Sequence, residues 1–294
     1  GGPSTVGMSM SMTQHRFYEG RPVAFLTQHG KQDLVREPLE AALGCQLVHT
    51  DAYDTDQLGT FTRELTRAGS QLDAARKKAT LGMALTGAPV GMASEGSFGP
   101  DPFGAFMPWN TEVVLWVDPL QGIEITGFAH GPAQSLHRMV KNLQELERFA
   151  TEAGFPEHHL VLRPENPDHP DMDKGIRDRD ALVNAFVLAQ AKSASGVVFV
   201  ENDLRAFCNP TRQKIIVKAT GDLIQKLLSV CPSCEAPGYW LSQQVPGLPC
   251  RDCGSLTRLP KAEIWGCKKC GHEEQKTVNA QPWADPARCD FCNP

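Results

Sequence analysis

Apolar positions along the first 230 residues recur with two periods, one typical of buried strands and one typical of helices. PVAFLT (22–27) is a continuous apolar run, which predicts a strand. KQDLVREPLEAALG (31–44) repeats its apolar residues every three or four positions and ends at Gly44, which predicts a helix with a glycine cap. The same criteria predict further strands at 45–50, 88–94, 111–118, 122–130, 158–164 and 196–200, and further helices at 71–87, 135–154, 179–193 and 210–229. This alternation predicts an α/β body with a mixed sheet.

Two of these predictions carry local signals of their own. The segments 111–118 and 122–130 are separated by a short turn, so we expect them to form a hairpin-like pair. Asn209 and Pro210 precede the last predicted helix, and these residue types favour the N-cap and first helical positions. No internal repeat is evident, so a repeat architecture such as a solenoid or propeller is not expected.

The residue pattern changes at Cys231, where short polar segments begin to alternate with pairs of cysteines. We therefore predict an α/β body over 14–230, with a subdivision near 155 as one option, and a small region of tandem zinc ribbons over 231–294. Residues 1–13 contain no apolar core of a secretory signal, and we expect them to be vector-derived or disordered.

The net charge and the lengths of the apolar runs argue against nucleic-acid and membrane partners. The chain has 294 residues, 41% of them hydrophobic, and a formal net charge of −5. This charge provides no general attraction for nucleic acid. No apolar run approaches the 18 or more residues of a membrane-spanning helix, so we expect a cytoplasmic protein without a membrane partner.

Cysteine spacing gives the most specific chemical signal. Two residues between two thiolates allow both sulfurs to reach one ion, and two such pairs complete a tetrahedral site with four cysteine ligands. Four Cys-x-x-Cys pairs are present, namely Cys231 and Cys234, Cys250 and Cys253, Cys267 and Cys270, and Cys289 and Cys292. They predict two structural zinc ions without an open coordination position, so these ions are not expected to be catalytic.

The order in which the four pairs combine is less constrained. Consecutive pairs are separated by 15 residues in the first half and 18 in the second, and short loops favour zinc sites built from neighbouring pairs. An interleaved arrangement closes loops of about twice that length, at a modest entropic cost. We predict the consecutive arrangement, with the interleaved one as the alternative and His272 as a bystander.

The charge of this region bears on its partners. Residues 231–294 contain seven Lys or Arg and seven Asp or Glu, and eight thiolates with two Zn²⁺ ions contribute a further formal charge of −4. Nucleic acid is therefore a disfavoured partner. Four aromatic residues could stack on bases or form a small core: Tyr239, Trp240, Trp265 and Trp283. We expect the ribbons to dock onto the body or a protein partner.

Polar clusters follow several predicted strands, where α/β proteins often bind ligands. TQHGK (27–31) links the first strand to the first helix, and its backbone amides and Lys31 suit an anion. An ordinary strand–helix turn is the alternative. DTDQLGTFTRE (54–64) is rich in carboxylates and hydroxyls, and is either part of a site or a solvated loop.

The stretch GMASEGSFGPDP (91–102) raises a sharper question, because it places Glu95 among glycines and serines after an apolar strand. We interpret it as a loop that holds a cation or a phosphate. The adjoining helix carries Asp73 and a basic run that includes Lys78. Helix capping would equally explain Asp73, and a solvated face would explain the lysines.

These clusters together resemble the inosine/xanthosine triphosphate pyrophosphatase superfamily over about residues 22–130. Thr27, His29 and Lys31 stand near the places of its Thr/Ser-x-Asn-x-x-Lys-like turn. DAARKKA (73–79) resembles its Glu-Asn-Ala-x-x-Lys-Ala helix, keeping Ala75, Lys78 and Ala79 but having Asp73 for the acid and Ala74 for the amide. Glu95-Gly96 resembles its acidic loop, and the predicted hairpin follows in the same order.

The resemblance implies that the acids hold Mg²⁺ and activate water, while the lysines bind phosphate. The whole chain also resembles a bacterial family of uncharacterised proteins that end in paired zinc ribbons, which implies no activity.

A fourth cluster, VENDLRAFCNPTR (200–212), follows the last predicted strand of the body. Glu201, Asp203 and Arg205 alternate, so we expect them to lie on one side of the strand end. Arg212 lies in the first turn of the next helix, where it could meet a base or phosphate. Cys208 has no sequence feature that would activate a thiol. A capped helix with a salt bridge is the alternative interpretation.

The leading hypothesis is a Mg²⁺-dependent hydrolase of a nucleotide phosphoanhydride with structural zinc ribbons. Glu95 and Asp73 are its candidate catalytic residues. The candidate phosphate- or substrate-binding residues are Thr27, His29, Gly30, Lys31, Lys78, Ser94, Gly96, Asp203 and Arg212. The alternatives are a non-catalytic nucleotide- or RNA-binding protein that docks through its ribbons, and a scaffold.

Overall fold

A computed structural model describes residues 17–52, 68–104 and 106–294, and the side chains of these residues except 68–70. The predicted cluster at 54–64 and the segment 1–13 lie outside the described residues. The described part forms two sheets with helices and a third, smaller sheet near the carboxyl end, which confirms the predicted α/β body followed by a small cysteine-rich region.

The first sheet has the strand order β2-β1-β3-β4-β5. Its strands are β1 (Pro22–Leu26), β2 (Gln46–Thr50), β3 (Val90–Pro100), β4 (Pro108–Asp118) and β5 (Ile123–Pro132). β1 is parallel to both of its neighbours, whereas β3, β4 and β5 form an antiparallel meander, so the predicted hairpin at 111–130 is confirmed. Helices α1 (Gln32–Leu43) and α2 (Ala68–Thr86) connect the parallel strands.

The predicted strand at 88–94 is observed, but it continues to Pro100 through the stretch that we interpreted as a loop, so the loop prediction is wrong. β1 pairs with β3 only from Val90 to Met92, but β3 continues beside β4 as far as Pro100. Glycine and serine have low strand propensity, yet ten consecutive pairings with β4 override it. The hairpin therefore projects beyond the end of β1, and Glu95 lies on the projecting part.

The second sheet is antiparallel, in the order β6-β9-β7-β8. It consists of β6 (His137–Val140), β7 (Leu160–Pro164), β8 (Asp173–Ile176) and β9 (Val198–Asn202). Helices α3 (Leu143–Glu152) and α4 (Arg179–Lys192) pack with it around a separate apolar core that includes Leu146, Phe149 and Phe186.

The helix predicted at 135–154 is correct only in its second part. Residues 137–140 pair with β9, and the helix starts at Leu143 because Asn142 caps it. The Asn142 side chain accepts a hydrogen bond from Glu145 N at 2.9 Å, and the Glu145 carboxylate accepts one from Lys141 N at 2.7 Å. This arrangement resembles a capping box, except that the carboxylate accepts from the residue before the N-cap, and it fixes the start of the helix.

The chain then returns to the first sheet through α5 (Pro210–Leu228). Asn209 caps this helix by accepting a hydrogen bond from Arg212 N, and Pro210 occupies its first position, as predicted. Ile216, Ala219 and Leu223 of α5 share a core with Met92 and Trp116, on the face of the sheet that also receives α1. Ala75 and Ala79 of α2 pack on the opposite face against Ala93 and Leu115.

The carboxyl-terminal region forms a three-stranded antiparallel sheet in the order β10-β11-β12. Its strands are β10 (Trp240–Pro246), β11 (Pro260–Gly266) and β12 (Glu273–Thr277). We call residues 231–294 the zinc module. Among the described helices, none combines the length and apolar character needed to span a membrane.

Candidate functional site

Two groups of four cysteines come together among the described residues, and both are interleaved. One contains Cys231, Cys234, Cys267 and Cys270; the other contains Cys250, Cys253, Cys289 and Cys292. The predicted consecutive pairing is therefore wrong, and the alternative arrangement is the one observed.

The antiparallel sheet explains why the pairs interleave. The first cysteine pair precedes β10, the second lies between β10 and β11, the third lies between β11 and β12, and the fourth follows β12. Because each antiparallel strand reverses the chain, the first and third pairs lie at one end of the sheet and the second and fourth at the other. Trp240 pairs with Gly266, which brings the start of β10 beside the end of β11. The longer loops cost only about 0.6 kcal/mol per doubling of length, so strand direction decides the pairing.

Both groups fit a structural zinc ion. Four sulfurs at about 2.3 Å from zinc form a tetrahedron whose edges are about 3.8 Å. Sγ–Sγ distances are 3.7 Å for Cys231–Cys270 and 3.6 Å for Cys234–Cys267 in the first group. They are 3.8 Å for Cys250–Cys292 and 3.7 Å for Cys253–Cys289 in the second. His272 forms a contact of 3.2 Å with Glu274 and lies outside the first group, as expected.

The first zinc site lies against β5 of the body and the turn that precedes it. Lys268 Nζ donates to Glu124 O at 3.0 Å, and Lys269 Nζ donates to Gln121 Oε1 at 2.5 Å. Gly238 has φ +91°, and a Cβ at this position would lie 2.2 Å from Ile125 Cδ1. This close approach needs glycine, so the packing of the zinc module on the body depends on a backbone contact as well as on two lysines.

A second feature is a cluster of five buried ionisable side chains where the β3–β4 hairpin projects past β1. We call it the charge cluster; it comprises Lys31 (5% exposed), Lys78 (6%), Glu95 (3%), Glu112 (0%) and Arg212 (2%). The other four members all act electrostatically on Lys31. Burying an ion costs several kcal/mol unless an opposite charge or hydrogen bonds compensate it, so the partners of each charged group affect its stability.

One ion pair of the cluster lies on the α2 face of the sheet, where Lys78 contacts the carboxylate of Glu95. Gln71 of the same helix donates a hydrogen bond to Glu95 O at 3.0 Å and another to Thr111 O at 3.2 Å. The predicted proximity of Glu95 to the lysine-bearing helix is therefore observed as a direct contact.

The other pair lies on the α5 face. Arg212 donates to both carboxylate oxygens of Glu112, at 3.3 Å each, and to Leu204 O at 2.9 Å. Asn110 Nδ2 donates to Glu112 Oε2 at 2.7 Å. Gly96 lies opposite Glu112 in the ladder, and a Cβ there would be 2.2 Å from Glu112 Oε2 and 2.4 Å from Arg212 Nη2. Gly96 is therefore needed because a side chain at this strand position would clash with the ion pair, and not because the chain turns there.

Lys31 differs from the other two cations because its observed hydrogen bond is to a neutral acceptor. Its Nζ donates to Ser94 O at 3.1 Å. Burial, followed by the positive charge of Arg212, lowers the pKa of Lys31 to about 7, despite the opposing effect of the two glutamates. Two nearby buried oxygens, Ser94 Oγ and Asn110 Oδ1, have no hydrogen-bond partner among the described residues.

The rest of the 27–31 segment forms the turn that delivers Lys31. Thr27 N donates to Thr50 O at 3.1 Å, and Thr27 O accepts a bond from His49 Nε2 at 2.9 Å, which ties the end of β1 to β2. Gly30 has φ +72°, which reverses the chain before α1. His29 lies beside Phe207, with ring centroids 6.4 Å apart.

Two of the three predicted acidic site residues lie outside the charge cluster. The side chain of Asp73 is 67% exposed and pairs with Arg76, which also bonds Glu124 of β5. Asp203 is buried at the end of β9 and pairs with Arg205 at 2.7 Å. Burial alone would raise the pKa of Asp203, but the hydrogen bond and charge of Arg205 hold it below its usual value.

Cys208 is also unsuited to nucleophilic chemistry. Its side chain is buried, and burial together with the charge of Asp203 raises the pKa of the thiol to about 12. The thiolate is therefore scarce at neutral pH.

Glu112 and Asn110 were missed in the sequence, although a signal was present. In a strand, alternate residues share a face, so Asn110 and Glu112 share the face of Val114 and Trp116. A carboxylate and an amide on the apolar face of a strand indicate a buried polar site.

The comparisons with known proteins give one match. No curated protein and no solved structure matches the chain. A family model described as "Domain of unknown function (DUF6671)" matches residues 78–294. The match includes Lys78, Glu95, Glu112, Arg212 and all eight paired cysteines, and it covers most of the chain. The chain therefore belongs to the family described as Domain of unknown function (DUF6671).

Proposed function

We propose that this protein binds a phosphorylated small molecule at the charge cluster. The observation that carries the proposal is an excess of buried positive charge among the described residues, where Lys31, Lys78 and Arg212 cluster with the two carboxylates of Glu95 and Glu112. Clusters of buried, mutually perturbed ionisable groups are typical of functional sites. An anion would compensate the excess.

Lys31 is the cation that we expect to meet the ligand. Lys78 and Arg212 already have Glu95 and Glu112 as counter-ions, whereas the Lys31 amine is bonded to a backbone carbonyl. It also lies at the start of the twelve-residue helix α1, whose amino terminus favours negative charge. Ser94 Oγ, which is buried and has no partner in the part of the chain that the structure describes, belongs to the residue that holds this amine, and it supplies a donor for a phosphoryl oxygen.

Binding of inorganic pyrophosphate and ADP, measured by isothermal titration calorimetry near pH 6.5, tests this proposal. We expect Lys31→Met to weaken both ligands at least roughly tenfold, because a hydrogen bond to a charged group contributes about 1.5–3 kcal/mol. Lys77→Met is the matched control, since Lys77 is exposed on the same helix as Lys78. Equal affinity in wild type and Lys31→Met would refute the proposal.

Mg²⁺-dependent hydrolysis of a nucleotide phosphoanhydride is the second candidate. The observation in its favour is a pair of buried oxygens, Ser94 Oγ and Asn110 Oδ1, on the face of the sheet that carries the Glu112 carboxylate. Oxygen ligands suit Mg²⁺, which would neutralise phosphoryl charge. Both carboxylates are ion-paired, so Glu95 could hold the metal or orient water only after a phosphoryl group had drawn Lys78 away.

A panel of nucleoside triphosphates with Mg²⁺ distinguishes the two candidates. In hydrolysis, water adds across a P–O–P bond and pyrophosphate is released. The second candidate predicts release by wild type, loss in Glu95→Gln, and unchanged release in Asp73→Asn, because the Asp73 side chain is exposed and pairs with Arg76 outside the charge cluster. Binding without release, or release that survives Glu95→Gln, would exclude it.

For the zinc module, we propose a structural role on the body in place of nucleic-acid recognition. The contacts of Lys268 and Gly238 with β5, and of Lys269 with Gln121 in the turn before it, support this role. The balanced charge of the module opposes phosphate-driven binding. A filter-binding assay with single-stranded RNA in low salt tests it, and submicromolar binding that requires the module would argue against it.

A further inference from the structure

We propose that the aromatic pair of His29 and Phe207 binds a planar ring of the ligand, so that the phosphorylated molecule taken by this site is a nucleotide. This inference rests on the proposed phosphate binding at Lys31. It adds a residue, Phe207, whose position suits recognition of the base.

The first step is the exposure of Phe207. Its side chain is 46% exposed, although Ala206 and Cys208 on either side are fully buried. The short turn that carries these residues is held by backbone bonds from Cys208 N to Arg205 O and from His159 N to Cys208 O, both 2.9 Å. A turn anchored through its neighbours presents the phenylalanine ring to solvent in a fixed position.

The second step is the orientation of the ring. The planes of Phe207 and His29 are 15° apart, with centroids separated by 6.4 Å. The guanidinium of Arg205 lies 4.7 Å from the centroid of Phe207, and the buried Asp203 holds Arg205 through a bond of 2.7 Å. Three planar groups thus form an aromatic and cationic surface, which is the kind of surface on which bases stack.

The third step is the distance to Lys31. A Cβ added at Gly30 would lie 3.4 Å from Phe207 Cβ, so the phenylalanine packs against the turn between His29 and Lys31. Two residues span at most roughly 7 Å. A ribose bridges a comparable gap between base and phosphate. One ligand could therefore place its ring on Phe207 and its phosphoryl groups at Lys31.

Calorimetry with ADP, ribose 5-phosphate and inorganic pyrophosphate tests this inference. We expect wild type to bind ADP at least roughly tenfold more tightly than either ligand without a base, since stacking of one base on an aromatic side chain is commonly worth that much. Phe207→Leu keeps an apolar side chain without a ring, and should abolish the advantage of ADP while leaving pyrophosphate affinity unchanged. Phe128→Leu is the control, because Phe128 is equally exposed, at 46%.

The failures are distinguishable. Equal binding of ADP and pyrophosphate by wild type, or equal loss of both in Phe207→Leu, would overturn the base site and leave the phosphate site standing. Insensitivity of all three ligands to Lys31→Met would overturn both. His29→Ala provides a second variant if Phe207→Leu unfolds, and it should reduce ADP affinity selectively.

Discussion

Gly96 lies directly opposite Glu112 in the β3–β4 ladder, and the ion pair between Glu112 and Arg212 fills the space where a side chain at position 96 would stand. Gly96→Ala would force the two charged groups to move. Disrupting a buried ion pair costs about 3–5 kcal/mol, so we expect the free energy of unfolding to fall by about 3 kcal/mol. Urea denaturation measures the change.

Gly131→Ala is the control for this variant. A Cβ at Gly131, on β5 of the same sheet, would make an ordinary contact of 3.5 Å with Ile215 Cδ1. We expect its stability to change by less than about 1 kcal/mol. If Gly96→Ala proved as stable as Gly131→Ala, the close packing of the ion pair on β3 would be wrong.

The interleaved zinc sites predict which double variants retain metal. Cys231 and Cys267 belong to one group, so Cys231→Ser/Cys267→Ser should lose one zinc ion and keep the other. Cys231 and Cys250 belong to different groups, so Cys231→Ser/Cys250→Ser should damage both sites. Zinc per chain, measured by plasma mass spectrometry, should be about one and close to zero respectively. Consecutive pairing would give the reverse order.

Packing of the zinc module on the body can be tested at Gly238. Gly238→Ala would introduce a clash with Ile125 in addition to the strain of φ +91°. Gly254 has φ +73° with open space around its Cβ position, so Gly254→Ala carries the strain alone. We expect Gly254→Ala to cost about 1 kcal/mol and Gly238→Ala to cost clearly more. Both should retain two zinc ions, and equal melting temperatures would argue against the observed packing.

The buried lysine predicts a dependence of stability on pH. The folded-state pKa of Lys31 is lowered to about 7, whereas an unfolded lysine titrates near about 10.4. Between these values the unfolded chain binds the additional proton, so the stability contributed by this group rises with pH from 7 to about 10. Below pH 7 both states are protonated and the full cost of burying the charge remains.

Lys31→Met removes this titration, so its stability relative to wild type should be greatest near pH 6 and decline as the pH rises to 10. Urea denaturation at several pH values measures the difference, and Lys77→Met, which alters an exposed lysine, should show a nearly constant difference. A constant difference for Lys31→Met would mean that the amine is not held in a desolvated cluster.

Local signals in the sequence determined much of the secondary structure. The glycine after α1, the asparagine and proline before α5, and the apolar runs of β1 and β9 each act within a few residues, so their effects could be predicted. The cysteine spacing likewise determined that two four-cysteine zinc sites should exist, because the two thiolates of one Cys-x-x-Cys pair bind the same ion.

Tertiary structure alone decided which Cys-x-x-Cys pairs share an ion, that Glu112 meets Arg212 and that Asp73 lies outside the charge cluster. The cysteine pairing follows from strand direction, since each antiparallel strand carries the chain to the other end of the sheet. Glu112 and Arg212 are 100 residues apart and meet only because α5 returns to the first sheet. Such contacts depend on pairing between distant segments, for which neither residue type nor local spacing carries information.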